Sequence, residues 1–186
     1  MRRSAATLGL SGACLFALGS AGSAQQVSSE DLLGGHENPP VISTGSGDFT
    51  GSIEVDRIPF TLTYDVGAAG SAPDQAHLHI ANPGNNGGIV VFLCTNLGNT
   101  PVGAQVRACP PSPGEVTGDI LAADVQAVVD GDPATGTQVI GAGDLEGLKL
   151  LVQQGAVYAN VHTPAHASGE IRGQLPSPSL GLARRR

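Results

Sequence analysis

The chain has no tryptophan, and aromatic residues make up only 3% of its 186 positions. Positive charge is also scarce, with nine Lys and Arg against sixteen Asp and Glu. Much of it sits at the ends, in Arg2, Arg3 and the closing run Arg184, Arg185 and Arg186. The body is therefore strongly acidic, which disfavours nucleic acid and anionic membrane as partners. Several catalytic signatures are missing as well: there is no G-x-S-x-G, no Walker loop and no H-E-x-x-H. "NPGNNGG" is glycine-rich, but it joins two strand patterns and opens no helix, so it makes a poor phosphate cradle. Asp119, Asp124, Asp130, Asp132 and Asp144 match no calcium-loop spacing and read as solvated acid.

What is present begins with an address. Arg2 and Arg3 precede an apolar stretch from Ala5 to Leu18, and "GSAGSA" ends in the small residues that signal peptidase accepts. Residues 1–24 read as a signal peptide cleaved after Ala24, which implies export to the periplasm or the exterior. The stretch is too short for a stop-transfer helix, and no second candidate follows. Cleavage takes the formal charge from −7 to −9 by removing the two arginines, and it also removes Cys14. Cys94 and Cys109 remain as an even pair in an exported chain, which reads as a disulfide. Residues 176–186, "PSPSLGLARRR", read as a disordered tail.

Between these ends the apolar residues come in short alternating runs. "GDFTGSIEV" puts Phe49, Gly51, Ile53 and Val55 on one face; "PFTLTYDV" does the same with Phe60, Leu62, Tyr64 and Val66. With Asp56-Arg57 between them, the two form an expected antiparallel hairpin. "QAHLHI" and "GIVVFLC" are further strands joined by "ANPGNNG", the second apolar throughout and so expected in the middle of a sheet. A loop from Thr95 to Gly114 leads to the short strand "EVTGDI", and "ADVQAVVDGD" reads as a helical turn. "DLEGLKLLVQQG" is a helix capped by Asp144 and ended by Gly155. "AVYANVHT" and "GEIRGQL" close the domain as strands. The expected fold is mostly β, a sandwich or Greek-key barrel with one short helix crossing an end.

The mature chain has five histidines: His36, His77, His79, His162 and His166. On a strand, His77 and His79 share a face opposite Ala76, Leu78 and Ile80. His162 sits on the polar face of a later strand, with His166 four residues on. Convergence of these imidazoles suits copper or zinc, for which neutral imidazole nitrogen is a good ligand. Glu37, Asn160 and Glu170 are then placed to orient the rings. The alternative is that each ring simply bonds to a carbonyl or carboxylate across its sheet.

Three segments, "LLGGHENPPV", "AHLHIANPGNNGGIVVFL" and "GAVYANVHTPAHASGEIRGQL", resemble the CHRD domain over about Asp31 to Leu175. That domain is named for chordin, a secreted antagonist of bone morphogenetic proteins, and also occurs in exported bacterial proteins. The resemblance implies an immunoglobulin-like β-barrel with limited similarity to copper/zinc superoxide dismutases. By that analogy His77 and His79 are copper ligands and His162 is a third. The sequence lacks a dismutase's bridging histidine and its His/Asp zinc loop, so the analogy extends to one mononuclear site. The leading expectation is an exported, non-catalytic β-domain with a histidine-bound copper or zinc ion. The second is a metal-free module that recognises a protein or a cell-surface ligand. A dismutase-like metalloenzyme comes third.

Overall fold

The computed structural model describes residues 24–29, 31–68, 70–129 and 138–175. All but the last residue of the expected signal peptide, the expected tail, Asp130 and Asp132 lie outside these residues. The strands are β1 (Gln25–Ser28), β2 (Leu32–Leu33), β3 (Ser46–Ile53), β4 (Ile58–Asp65), β5 (Gln75–Ile80) and β6 (Gly88–Thr95). They continue with β7 (Gly114–Ile120), β8 (Val128–Val129), β9 (Gln138–Ile140), β10 (Val157–Thr163) and β11 (His166–Leu175); one helix, α1, spans Leu145–Gln153. The main sheet runs β6-β5-β10-β11-β2-β3-β4-β7, with β1 added on β3 and every pairing antiparallel. It curls until its two edges nearly meet, so the fold is mostly β and barrel-like. No helix among the described residues is long and apolar enough to cross a membrane.

The inward side chains form one core in which Leu32, Phe49, Leu62, Leu78, Ile120, Leu148 and Ile171 are fully buried. The alternation read from the sequence explains this, because each strand sends every second residue inward. Helix α1 adds Leu145, Leu148 and Val152 to the same core. Asp144 caps it by accepting from the Gly147 N–H at 2.8 Å. Lys149 fastens it to the β3–β4 turn, donating to the Val55 carbonyl and to Glu146, each at 2.7 Å.

Three expectations are corrected. The β3–β4 turn takes four residues, closed by the Glu54 N–H to the Arg57 carbonyl, so Val55 is 93% exposed instead of buried. Among its described residues, the segment "ADVQAVVDGD" has a 3₁₀ turn at Ala122–Asp124 followed by β8, which pairs with β9. Strand β6 lies at the edge of the sheet order, not in its middle. Its apolar run reflects burial: Val90, Val91, Leu93 and Cys94 are covered, and the chain after Asp124 runs beside it with the Gln126 N–H on the Val90 carbonyl.

The expected disulfide joins Cys94 at the end of β6 to Cys109 in the loop before β7. That loop is also held by Tyr64, whose hydroxyl donates to the Pro110 carbonyl at 2.7 Å. Closing a loop of this length restricts the unfolded chain by roughly 3 kcal/mol. Replacing both cysteines by alanine is therefore expected to lower the unfolding free energy by about that amount. Urea titration of the pair variant against the oxidised protein measures it; unchanged stability contradicts a structural role.

Candidate metal centre

Strand β10 runs between β5 and β11, and its register aligns three rows of side chains on the face turned away from the core. Tyr158 lies opposite His79 and Gln174, and Asn160 opposite His77 and Arg172. An ordinary barrel would present this face to water. Here it is a second buried layer: His77, His79, Tyr158, Asn160, His162, Glu170, Arg172 and Gln174 are all buried. The cover comes from the loops around Asn38 and Asn82–Gly87. Arg172 donates to the Asn85 carbonyl at 2.7 Å and to Asn86 Oδ1 at 3.2 Å. Asn86 in turn donates to the Asn38 carbonyl, and Asn38 to the Gly84 carbonyl, both at 2.9 Å.

Three of the predicted imidazoles meet in this layer. His77, His79 and His162 each place a ring nitrogen within 4.8 Å of the others. The β5–β6 pairing shifts register beside both His77 and His79, so bulges in β6 flank the cluster. His166 is not among the converging rings; it opens β11 and is half-buried. His36 is elsewhere, its Nδ1 on the Asp31 carbonyl at 3.0 Å.

Hydrogen bonding decides where the protons sit. A carbonyl only accepts, so His79 Nδ1 must donate to Gly87 O and His162 Nδ1 to Ala167 O, each at 3.0 Å. His162 Nε2 is thus a lone pair, and it lies 3.2 Å from His77 Nδ1, which donates to it. What remains is His77 Nε2 and His79 Nε2, two buried lone pairs without a partner. Burial also keeps the rings neutral. It pushes His77 down to about 2, helped by His162 and His79, and His79 down to about 4. His162 is lowered by the same cause.

Buried orphaned lone pairs are costly unless something binds them. Two nitrogens on one tetrahedral zinc lie about 3.4 Å apart if each bond is about 2.0–2.1 Å. The 3.2 Å between His77 Nδ1 and His162 Nε2 already matches that span. The residues present therefore fit a metal ion held by three neutral imidazoles, with His77 binding through one ring nitrogen: if Nδ1 beside His162 is the ligand, its proton moves to Nε2, and the third ring closes in.

The three residues expected to orient the rings are near but otherwise engaged. Asn160 Nδ2 donates to Glu37 Oε1 at 2.6 Å. Burial raises the Glu37 carboxyl to about 7, against the pull of Arg172 and Asn160. Burial also opposes the charge on Glu170, but hydrogen bonds from Ser43, Thr163 and the Gly67 N–H outweigh it and hold the carboxyl below its usual range. Main-chain carbonyls of Gly87 and Ala167 set the rings instead. Sequence reading also missed Tyr158 and Arg172. The Tyr158 ring stacks on His79 at 4.7 Å with only 4° between planes, and the Arg172 guanidinium lies 3.5 Å from its centroid.

Gly169 makes room for this layer. A Cβ there would fall 2.5 Å from both Asn160 Nδ2 and Glu37 Oε1, and its φ of +125° is unfavourable to any L side chain. Gly169→Ala is expected to cost at least about 2 kcal/mol through strain and displacement of the Glu37–Asn160 pair. A thermal melt equal to that of the parent protein contradicts this. A groove of about 920 Å³ between α1 and the β3–β4 turn, lined by Val55, Glu146, Lys149 and Leu150, contains none of the histidines.

The family model of the CHRD domain matches residues 28–175. No curated protein and no solved structure matches the chain.

Proposed function

The chain belongs to the CHRD domain family, and we propose that it is an exported, non-catalytic β-domain binding a copper or zinc ion through His77, His79 and His162. The observation that carries the reading is the convergence of three buried, neutral imidazoles, two with unpartnered Nε2 atoms. Imidazole nitrogens of this kind suit both metals. Export is supported by the Cys94–Cys109 bridge, which is characteristic of an oxidising compartment. A bimetallic dismutase-like centre finds no support, since no second group of ligating side chains comes together among the described residues.

The test is metal analysis of protein purified without a histidine tag, followed by titration of the metal-free form with zinc and copper. Near-stoichiometric binding that is lost in His79→Ala is expected. Protein that takes up neither metal refutes the reading. The amino terminus of the exported form is expected at Gln25, and peptide mass mapping reads it directly.

A second reading, a metal-free module that recognises a protein or cell-surface ligand, is favoured by one feature. The disulfide-held loop exposes Leu97 and Val102, the latter fully. Apolar side chains on a pinned loop are suited to contact a partner. On this reading the His77→Ala/His79→Ala protein keeps its partner and its stability.

A further inference from the structure

The metal reading leaves the fourth coordination position open, and Asn160 is paired in register with His77. The residue is 2% exposed and sits directly across from His77, on the same strand face as His162. Its amide is oriented by the rest of the layer. Nδ2 is committed to Glu37 Oε1 on the side of β11, where Gly169 leaves space for the pair. The two arms of an amide point apart, so with nitrogen turned toward β11 the oxygen faces the β5 side, where the histidines lie. That oxygen, Oδ1, is buried and has no hydrogen-bond partner.

A buried carbonyl oxygen with nothing to accept from is as unfavourable as the orphaned imidazole nitrogens beside it. One divalent ion takes up the lone pairs of Asn160 Oδ1 and His79 Nε2 together with one ring nitrogen of His77. We infer that Asn160 Oδ1 is the fourth donor of the site, completing a closed centre of three imidazoles and one amide oxygen for a divalent cation. This rests on the metal reading above. It adds a chemical consequence: four protein ligands leave no position for solvent or substrate, the arrangement of structural sites and not of catalytic ones. It also narrows the ion, because a neutral oxygen donor among imidazoles suits a divalent ion better than cuprous copper, which favours sulfur. Glu37 is the positioning residue, holding the amide through its nitrogen.

Cobalt(II) reports coordination by its visible absorption, and azide competes for any open position. The wild-type protein loaded with Co²⁺ is expected to show a four-coordinate spectrum that azide leaves unchanged. Asn160→Ala is expected to bind Co²⁺ on the order of tenfold or more weakly, with a spectrum that now responds to azide. In ¹⁵N-labelled wild type, the Asn160 carboxamide resonance is expected to move on addition of Zn²⁺; this requires no variant and so does not depend on Asn160→Ala folding. An azide-sensitive wild-type spectrum, an unmoved carboxamide, or an alanine variant matching wild type overturns the inference while leaving three-histidine binding intact. Wild-type protein that binds neither Co²⁺ nor Zn²⁺ removes the metal reading itself.

Discussion

Metal-free protein is expected to lose about 5 kcal/mol of stability between neutral pH and pH 4.5 through His77 and His79, less an offset from Glu37. In the unfolded chain a histidine titrates near 6.5, whereas burial lowers His77 to about 2 and His79 to about 4. Between the folded and unfolded values the unfolded state binds the extra proton. The contribution of each ring is therefore complete above about 6.5 and is lost as pH falls, at about 1.4 kcal/mol per unit. For His79 the loss ends near 4; for His77 it continues to about 2. His162, lowered by the same burial, adds to the trend. Glu37 acts in the opposite sense. Its folded value of about 7 lies above the ordinary 4.5, so its contribution grows as pH falls through that interval. One carboxyl offsets part of what three imidazoles remove, so the net slope keeps its sign. Urea midpoints measured in chelator from pH 7.5 to 4.5 check this. A midpoint that stays level, or rises, would show that the rings are not buried as neutral groups.

Zinc should produce the second large effect. Binding to the folded state alone adds about 4.1 kcal/mol at a free concentration a thousandfold above Kd. For a domain of this size each kcal/mol moves Tm by about 2–4 °C, so a rise of about 8–16 °C is expected. In His77→Ala/His79→Ala the rise disappears, because one remaining imidazole cannot hold the ion. The low proton affinity of the buried rings has a further consequence. Protons do not compete for His79 until about pH 4, so the folded protein keeps its zinc affinity well below 6.5. A surface histidine cluster would begin to lose zinc near 6.5. Melts at pH 7.5 and 5.5, each with and without zinc, separate the two cases, and a zinc shift retained in the double variant rules out these ligands.

Much of the fold was legible because short-range patterns produced it. Alternation placed β3 to β5, β7, β10 and β11, an apolar run placed β6, and Asp144 with Gly155 bracketed α1, since each depends on residues a few positions apart. Strands β1 and β2 escaped notice. The first has four residues and the second two, too few for a period to show, and both exist because longer strands offer them an edge. Edge position in β6 was misread for a related reason. A run of apolar residues records burial, and burial on both faces arises beside a covering loop as well as in the centre of a sheet.

For the centre, the pairing of His77 with His79 follows from a two-residue strand period, and this much the amino-acid sequence determined alone. It also pointed to the disulfide partners, by leaving two cysteines once the expected leader is set aside, and to the CHRD family, by motifs spread along the chain. Only the tertiary structure decided that β10 lies next to β5, which brings His162 to the pair and leaves His166 outside. Only it showed that the polar alternates Tyr158, Asn160 and His162 are buried instead of facing water. The physical reason is that a strand's own residues specify which of them share a face, but not what covers that face. Loops from residues 37–39 and 82–87, the latter tied down by Arg172, help turn an expected solvent surface into a buried second layer. There an imidazole stays neutral and an unpaired lone pair becomes a site.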